Sequence, residues 1–556
     1  MTLALASLVR LAALTAGYWA LDVAIRRGGC HRLLDAAGHL APALWATVLT
    51  MLLMLVRWDH VPQPDLARLL AVGLAALLTW KVVTEDIDPT TGDAHGLARL
   101  GLIAASLGLW LRPGFALVVL LLLTRPFDQW RHHAILPLRA LLATAAYLAV
   151  SAAIAALPID AGTYAPDAAT LIFLLLTIHA SHYASAGLAK LRLGRRWYSW
   201  VLENRIDHMA ANAYAWGWGR FVAWPAWHRF VRALRIARVP LQAGALAVEL
   251  LSPLALLSPT AALLAIAAWS VFHLGVLACG GFWFWDWLAA DLVLAVAILL
   301  LPEPLRQALF GWQAVAAAIA FIAVFPLRNR LWGPTPLAWW ETPFTQRFHW
   351  LAHARGGATY EVYSDFMCPH ERLYGKIHAC FMAPVRLITG HLGTVWDADH
   401  RDAVCAAGPS PARLDAVRER WGVQPRDERL ARNHLDYLRR FFGALDAGAR
   451  KHVLPAALRW LKAPGGHCYY WGDLPAYRGQ EPLVGVSLWF REQYYDGERL
   501  VTIRDERVEH IVLDADSAAR TCEPEPLARD VEILLADAFW RRDGRDYRTA
   551  EGAPAR

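Results

Sequence analysis

Apolar stretches of membrane length follow one another from the N-terminus to about residue 327, with only short polar breaks between them. A spanning helix needs roughly 20 predominantly apolar residues. Windows of that character lie near 2–25, 41–57, 66–83, 97–111, 113–124, 134–157, 167–191, 237–258, 260–278, 281–301 and 311–327. The pattern predicts a mainly α fold whose first part is a polytopic transmembrane helical bundle of about ten to eleven spans. The windows on either side of Arg112-Pro113 are short, so they form one kinked span, a re-entrant hairpin or two crossings. The parity of the count turns on that choice.

Composition agrees with a bundle in lipid. Hydrophobic residues make up 56% of the 556, with 27 tryptophans, too apolar for an ordinary soluble protein. The formal charge of +7 comes from arginines crowded between and beside the apolar runs, which points to membrane lipid as the partner. No nucleic-acid motif accompanies them. Seven cysteines, an odd number with no CxxC pair, imply no complete disulfide framework. The first apolar run carries Arg10 and Asp22 and has no small-residue cleavage site, so it reads as a retained span.

The character changes past Pro326. A Pro- and Trp-rich link, WGPTPLAWWETPF, separates a bundle over 1–330 from a soluble α+β domain over 346–556, with 331–345 as the linker. In that domain helices are expected at 373–391, 411–421, 427–446, 448–462 and 525–541. Strands are expected at 483–494, 499–505 and 508–514, turning at Tyr495-Asp496-Gly497. An exposed edge of such a meander would capture an extended peptide by strand addition. Arg491, Glu492 and Arg499 are equally suited to blunting it.

Ionisable groups inside apolar runs are functional candidates by default. The richest run is 171–193, LIFLLLTIHASHYASAGLAKLRL, with His179, His182, Tyr183 and Lys190. At about 100° per residue His179, Tyr183 and Lys190 share one stripe with His182 beside it, while Gly187 admits a neighbouring helix. Burial disfavours an ammonium ion, which lets a lysine in such a place act as a general base. The plainer reading has Lys190 reaching for the headgroups and the histidines bonding between helices. Glu249 sits in ALAVELLSPLALL, and His273, Asp286 and Asp291 lie around the Gly280-Gly281 turn, where Asp286 suits a helix N-terminus. The acidic loop Glu85-Asp86-Ile87-Asp88 fits no calcium spacing and reads as a solvated turn. Segment 194–238, with eight arginines and Trp216, Trp218, Trp224 and Trp227, reads as interfacial helices roofing the bundle.

A metal reading attaches to Cys368-Pro369-His370 and His378-Ala379-Cys380. One residue between paired ligands is fewer than structural zinc fingers favour, so packing is the plainer role and no metal is expected. Phosphate-loop, zinc-protease and nucleophile-elbow signatures are absent from the sequence.

The segment HASHYASAGLAKL resembles the stretch around the catalytic lysine of vitamin K-dependent γ-glutamyl carboxylases and their bacterial relatives, the HTTM-domain proteins. Tyr183, Ala186, Gly187, Leu188, Lys190 and Leu191 match the family's Y-x-x-A-G-φ-x-K-L, φ being apolar. Trp130-Arg131-His132-His133 looks like its tryptophan-led motif, Phe272-His273 like its Phe-His, and Glu249 stands where it places an acidic residue. The resemblance covers roughly 40–330. Leu274-Gly275-Val276 replaces an expected asparagine, and Arg195-Arg196 lengthens the step from Lys190 to Trp197. The resemblance implies catalytic roles for Lys190, His133 and His273, with His179, His182, Tyr183 and Glu249 in support. It implies a lyase in which the lysine deprotonates a reduced naphthoquinone, the anion reacts with oxygen, and the strong base so formed removes a γ-proton from glutamate in a peptide or protein. Quinol epoxidation accompanies that reaction. The departures leave two alternatives: an HTTM-family member that modifies another peptide or lipid group, or a non-enzymatic transporter or assembly factor. A bacterial inner membrane is the expected location. Arginine bias puts segment 194–238 and the soluble domain in the cytoplasm, whereas the resemblance implies the opposite face.

Overall fold

The computed structural model describes residues 3–26, 51, 56–90, 95–124, 127, 135–158, 160–312, 315–321, 331–334, 336–363, 366, 379–464, 472–521, 541–542 and 545–546. The fold is mostly helical. Among the described residues six helices are long and apolar enough to cross a membrane, or seven if the bent pair Trp285–Leu300 and Glu303–Gly311, at 110°, counts as one. The windows expected at 41–57 and 311–327 lie wholly or partly outside the described residues, so they do not enter that count. Helices α3 (Gly96–Gly108) and α4 (Phe115–Thr124) have 13 and 10 residues. At 1.5 Å per residue they reach about 20 and 15 Å, short of a hydrocarbon core of about 30 Å. They form a hairpin in which Phe115 packs under Gly108. The window 41–57 lies largely outside the described residues.

Helix α6 (Ala168–Leu193) is the axis of the bundle. Asp167 caps it, accepting from the Thr170 amide at 2.8 Å, and also takes the Arg10 guanidinium at 2.8 Å. It packs against α1 (Leu3–Leu21), α5 (Ile135–Ala155), α8 (Trp224–Leu251), α10 (Trp285–Leu300) and α11 (Glu303–Gly311). Almost all of α6 is therefore buried. Its neighbours α8 and α9 (Pro259–Gly280) bury one face each and leave residues such as Leu264 and Val271 more than 60% exposed. An apolar outer surface of this kind suits lipid.

Segment 194–238 holds the short helix Ser199–Glu203, a second helix over Ile206–Trp216 and the start of α8. Pro225 lies in the first turn of α8, where its missing N–H costs nothing, and the helix runs on through Pro240 for 28 residues, about 42 Å. Helix α7 (Ile206–Trp216) is buried as well, between the bundle and the C-terminal sheet. Asn212 donates to the carbonyls of Thr342 and Leu392 at 2.8 Å each, and the Trp216 indole donates to Thr345 Oγ1 at 2.7 Å.

The C-terminal sheet has four antiparallel strands in the order β3-β2-β5-β6: β2 Phe344–Ala354, β3 Thr359–Val362, β5 Leu483–Tyr495 and β6 Leu500–Val512. A two-stranded ladder joins β1 (Trp340–Glu341) to β4 (Thr394–Val395). Side chains alternate with period two along β2. Phe348 and Trp350 face a core shared with Leu438, Phe441 and Phe442 of the helix Glu428–Asp446, whereas Thr345 and Arg347 bond to Trp216 on the other side. Both faces are covered, so β2 does not show the polar alternation of a half-exposed strand.

Several local expectations are corrected. Strand 499–505 and strand 508–514 are one strand, β6, whose register shifts opposite Leu488/Trp489 and Glu492/Gln493. Strand β5 is interior and the edge strands are β3 and β6, while Arg491 bonds Asp505 at 2.8 Å and Glu492 is buried against Arg418 at 3.0 Å. The described part of 373–391 is a short 3-10 turn at Ala379–Met382 and irregular chain. Over 448–462 only Ala456–Leu461 turns, again as 3-10 helix. The expected helix 525–541 lies almost wholly outside the described residues.

The acidic loop is no solvated turn. Asp86 accepts from Lys462 Nζ at 2.6 Å and lies 3.2 Å from His452 Nδ1, while the Ile87 amide donates to the Lys451 carbonyl at 2.9 Å. Lys451, His452 and Lys462 all come from the C-terminal region. A loop that looks solvated in isolation is buried because it forms the socket for a distant segment.

Candidate functional site

Gly187 sets the spacing of the site. A methyl group there would meet Glu249 Cβ and Leu250 Cδ2 at 3.0 Å, so its absence lets α8 lie against α6. One turn on, Lys190 Nζ donates to Glu249 Oε1 at 2.6 Å and to the Leu337 carbonyl at 3.1 Å. The ammonium also lies 5.1 Å from the centroid of the Trp200 ring. Lysine and glutamate side chains are only 11% and 3% exposed. Among the described residues Glu249 Oε2 has no hydrogen-bond partner.

Two turns toward the N-terminus of α6, Tyr183 Oη and His273 Nε2 are 2.8 Å apart. The tyrosine ring is stacked on Trp269, centroids 4.8 Å apart and planes 7° from parallel, and Trp287 stands edge-on to both Tyr183 and His273. Trp269 is fixed in turn by its indole N–H, which donates to Ser252 Oγ at 2.8 Å. Tyr183 lies within electrostatic reach of Glu249 on one side and Asp291 on the other.

His179 and His182 are held differently. His179 Nδ1 donates to the Leu175 carbonyl at 2.8 Å, leaving Nε2 facing Asp291 Oδ1 at 3.7 Å. His182 Nε2 accepts from Arg139 Nη1 at 2.5 Å, and Arg139 in turn reaches the Gly333 carbonyl at 3.4 Å. Arg139 therefore ties α5 both to His182 of α6 and to the chain beyond the bundle. Asp286 occupies the first turn of α10, accepts from the Trp287 amide at 3.1 Å, and also takes Lys81 Nζ at 2.7 Å.

The fold thus brings Lys190 to Glu249 and Tyr183 to His273, along one face of α6. His133, Cys368, His370 and His378 lie outside the described residues. Cys380 is buried in the core of the C-terminal domain, where burial pushes its thiol up to about 12.

Two groups at the site were not singled out from the sequence. Arg139 lies in an apolar run as a lone cation, a signal of the same kind as Lys190. Glu341 is the single acid in the aromatic link WWETPF and lies within electrostatic reach of Lys190. Its carboxyl accepts from the Trp339 indole at 3.1 Å, its amide donates to Asn204 Oδ1 at 3.0 Å, and the residue is 5% exposed. Burial pushes the Glu341 carboxyl up to about 7 against the opposing pull of Asn204, Trp339 and Lys190.

Chemically, the buried Lys190–Glu249 ion pair is of a kind that can exchange a proton. Moving the proton from nitrogen to oxygen converts ammonium and carboxylate into amine and acid without changing the net charge, which a low-dielectric site tolerates. The chain matches no family model, no curated protein and no solved structure.

Proposed function

We propose that the chain is a multi-pass enzyme of the bacterial inner membrane, similar in chemistry to the vitamin K-dependent γ-carboxylases and HTTM-domain proteins. It acts on a peptide or protein, with a reduced naphthoquinone as co-substrate and Lys190 as base. The observation that carries this reading is the buried Lys190–Glu249 pair at 2.6 Å, with Glu249 Oε2 unsatisfied, at the seam between bundle and C-terminal sheet.

The residues present fit a quinol. Its hydroxyl needs a buried acceptor, and Glu249 Oε2 is one. Its flat ring system needs aromatic neighbours, and Trp200, Trp269 and Trp287 line the same side of α6. When bound, the quinol supplies the oxidisable ring whose deprotonation starts the reaction. Glu249 takes the proton of Lys190 and leaves a free amine, which then accepts the hydroxyl proton. The Tyr183–His273 pair holds a second transferable proton in the same wall. The aromatic packing excludes water, which would quench a strong base.

The test is direct. Protein purified in detergent and given reduced naphthoquinone should form its epoxide, and Lys190→Ala should not. Wild-type protein that forms no epoxide, or a Lys190→Ala variant that forms it at the wild-type rate, overturns the reading.

A further inference from the structure

The 3-10 turn Ala456–Leu461 has the sequence AALRWL, and none of its residues is buried. Trp460 is 78% exposed, with Leu458 and Leu461 exposed beside it. Three large apolar side chains on one outward turn mark a surface that something covers.

The tethers of this turn fix its depth. The Trp80 indole donates to the Leu461 carbonyl at 2.8 Å, the Ala463 amide donates to Thr84 Oγ1 at 2.9 Å, and Lys462 Nζ donates to Asp86 at 2.6 Å. All three partners lie at the C-terminal end of the helix Pro64–Val83, which is long and apolar enough to cross a membrane. Its 20 residues reach about 30 Å, the thickness of the hydrocarbon core, so its ends lie at the headgroups. Trp80 is three residues from Val83, about 4.5 Å along the axis. The turn is therefore level with the last turn of a spanning helix, where tryptophan is enriched. The rim around it is apolar too. Trp80 is itself partly exposed, and Leu97 and Leu100 stand out on α3, whose Arg99 donates to the carbonyls of Val82, Val83 and Glu85 at the same helix end. Arg459, exposed between Leu458 and Trp460, provides the cation that suits headgroup phosphates.

We propose that Ala456–Leu461 is a membrane anchor of the C-terminal region. Leu458, Trp460 and Leu461 enter the headgroup–acyl boundary of the phospholipid bilayer that the bundle crosses, and Arg459 meets the phosphates. The acidic loop, through Asp86 and Lys462, holds the anchor at that depth. The proposal rests on the helix Pro64–Val83 spanning the bilayer and is independent of Lys190 and of any reaction.

The test uses the full-length protein, one copy per phospholipid nanodisc, with an environment-sensitive fluorescent amino acid in place of Trp460. Its emission should be shifted to the blue and should be mostly lost when the acyl chains are brominated near their headgroup end. The same residue in place of Leu458 should behave alike, which keeps the result from depending on one variant. Two reference positions calibrate it. Val271, exposed on α9, should also be quenched, since it faces lipid wherever the bundle is embedded. Arg432 should emit as in water and lose nothing, because its helix packs on the face of the sheet opposite Trp216. Water-like emission at 458 and 460, or blue emission that bromine does not quench, overturns the proposal; the second outcome assigns the surface to protein, whether a second copy or another chain. Quenching at Val271 without quenching at 458 and 460 refutes the anchor and upholds the embedded bundle, whereas loss of both refutes the two together.

Discussion

Two buried lysine–carboxylate pairs occupy two different regions of this molecule. Lys81–Asp286, at 2.7 Å, joins the helix Pro64–Val83 to the start of α10 inside the packed bundle. Lys190–Glu249, at 2.6 Å, joins α6 to α8 beside the C-terminal sheet. The first uses its hydrogen-bonding capacity: one Asp286 oxygen takes Lys81, the other the Trp287 amide, and the lysine also sits 5.3 Å from the Trp285 centroid. In the second, Glu249 Oε2 has no partner among the described residues, and the lysine spends one proton on the Leu337 carbonyl. Distance and burial barely distinguish them. The difference lies in spare acceptors, which a pair that only clamps helices does not keep and a pair that exchanges protons needs.

The largest effect expected from this contrast is on turnover. Glu249→Gln should lower quinol epoxidation by about 10²–10⁴-fold, the usual contribution of a positioned acid–base group. The double substitution Lys81→Met with Asp286→Leu should leave it near wild type. Equal losses in rate would show that both pairs serve the fold alone.

Stability should reverse the order. Lys81→Met by itself strands Asp286 in the bundle and should cost about 3–5 kcal/mol, most of it recovered when Asp286→Leu is added. Denaturation in detergent, read by circular dichroism, gives both values. If the double variant is as unstable as the single one, packing around Trp285 and not charge is what the pair supplies.

A smaller effect is expected at the acidic loop, which holds the C-terminal region in place. Burial pushes the Asp86 carboxyl up, but His452, Lys462 and Lys451 outweigh it and hold it well below the usual carboxylate range. A folded-state value below the unfolded one stabilises the protein above about pH 3.9 and ceases to do so as the pH falls through the folded value. Asp86→Asn should therefore cost about 1–3 kcal/mol near pH 7. The gap to wild type should narrow as the solution is made strongly acidic, which thermal scans over a pH series will show. A gap independent of pH would assign the loss to shape.

The smallest effect belongs to the tryptophan at the same seam. The Trp80 indole donates to the Leu461 carbonyl at 2.8 Å, so Trp80→Phe should cost about 0.5–1.5 kcal/mol and leave the rate unchanged. A fall in rate would show that the seam near the acidic loop communicates with Lys190.

Legibility from the sequence followed the range of the interactions. Helix α6, its buried stripe and the close approach at Gly187 follow from local periodicity and from the cost of ionisable groups in apolar surroundings. The hairpin of β5 and β6 follows from alternation around Gly497, whose φ of 107° suits glycine. Strand β2 was missed because it is covered on both faces and its sequence, FTQRFHWLAHA, mixes large apolar and polar groups without a clean alternation. Helix 448–462 was overcalled because its apolar residues pair with nothing helical: Ala456–Leu461 buries none of its residues.

The sequence alone determined that an apolar bundle must exist, that its polar groups concentrate on one helix, and that a mixed α and β region follows it. Those statements depend on hydropathy and on repeats within a few residues of each other. Only the tertiary structure decided which charge meets which. Lys190 and Glu249 are 59 positions apart, Lys81 and Asp286 are 205 apart, and Asp86 and Lys462 are 376 apart. No local preference encodes such pairings. They are set by which faces of the helices can pack together, and that packing made the acidic loop a socket for the C-terminal region.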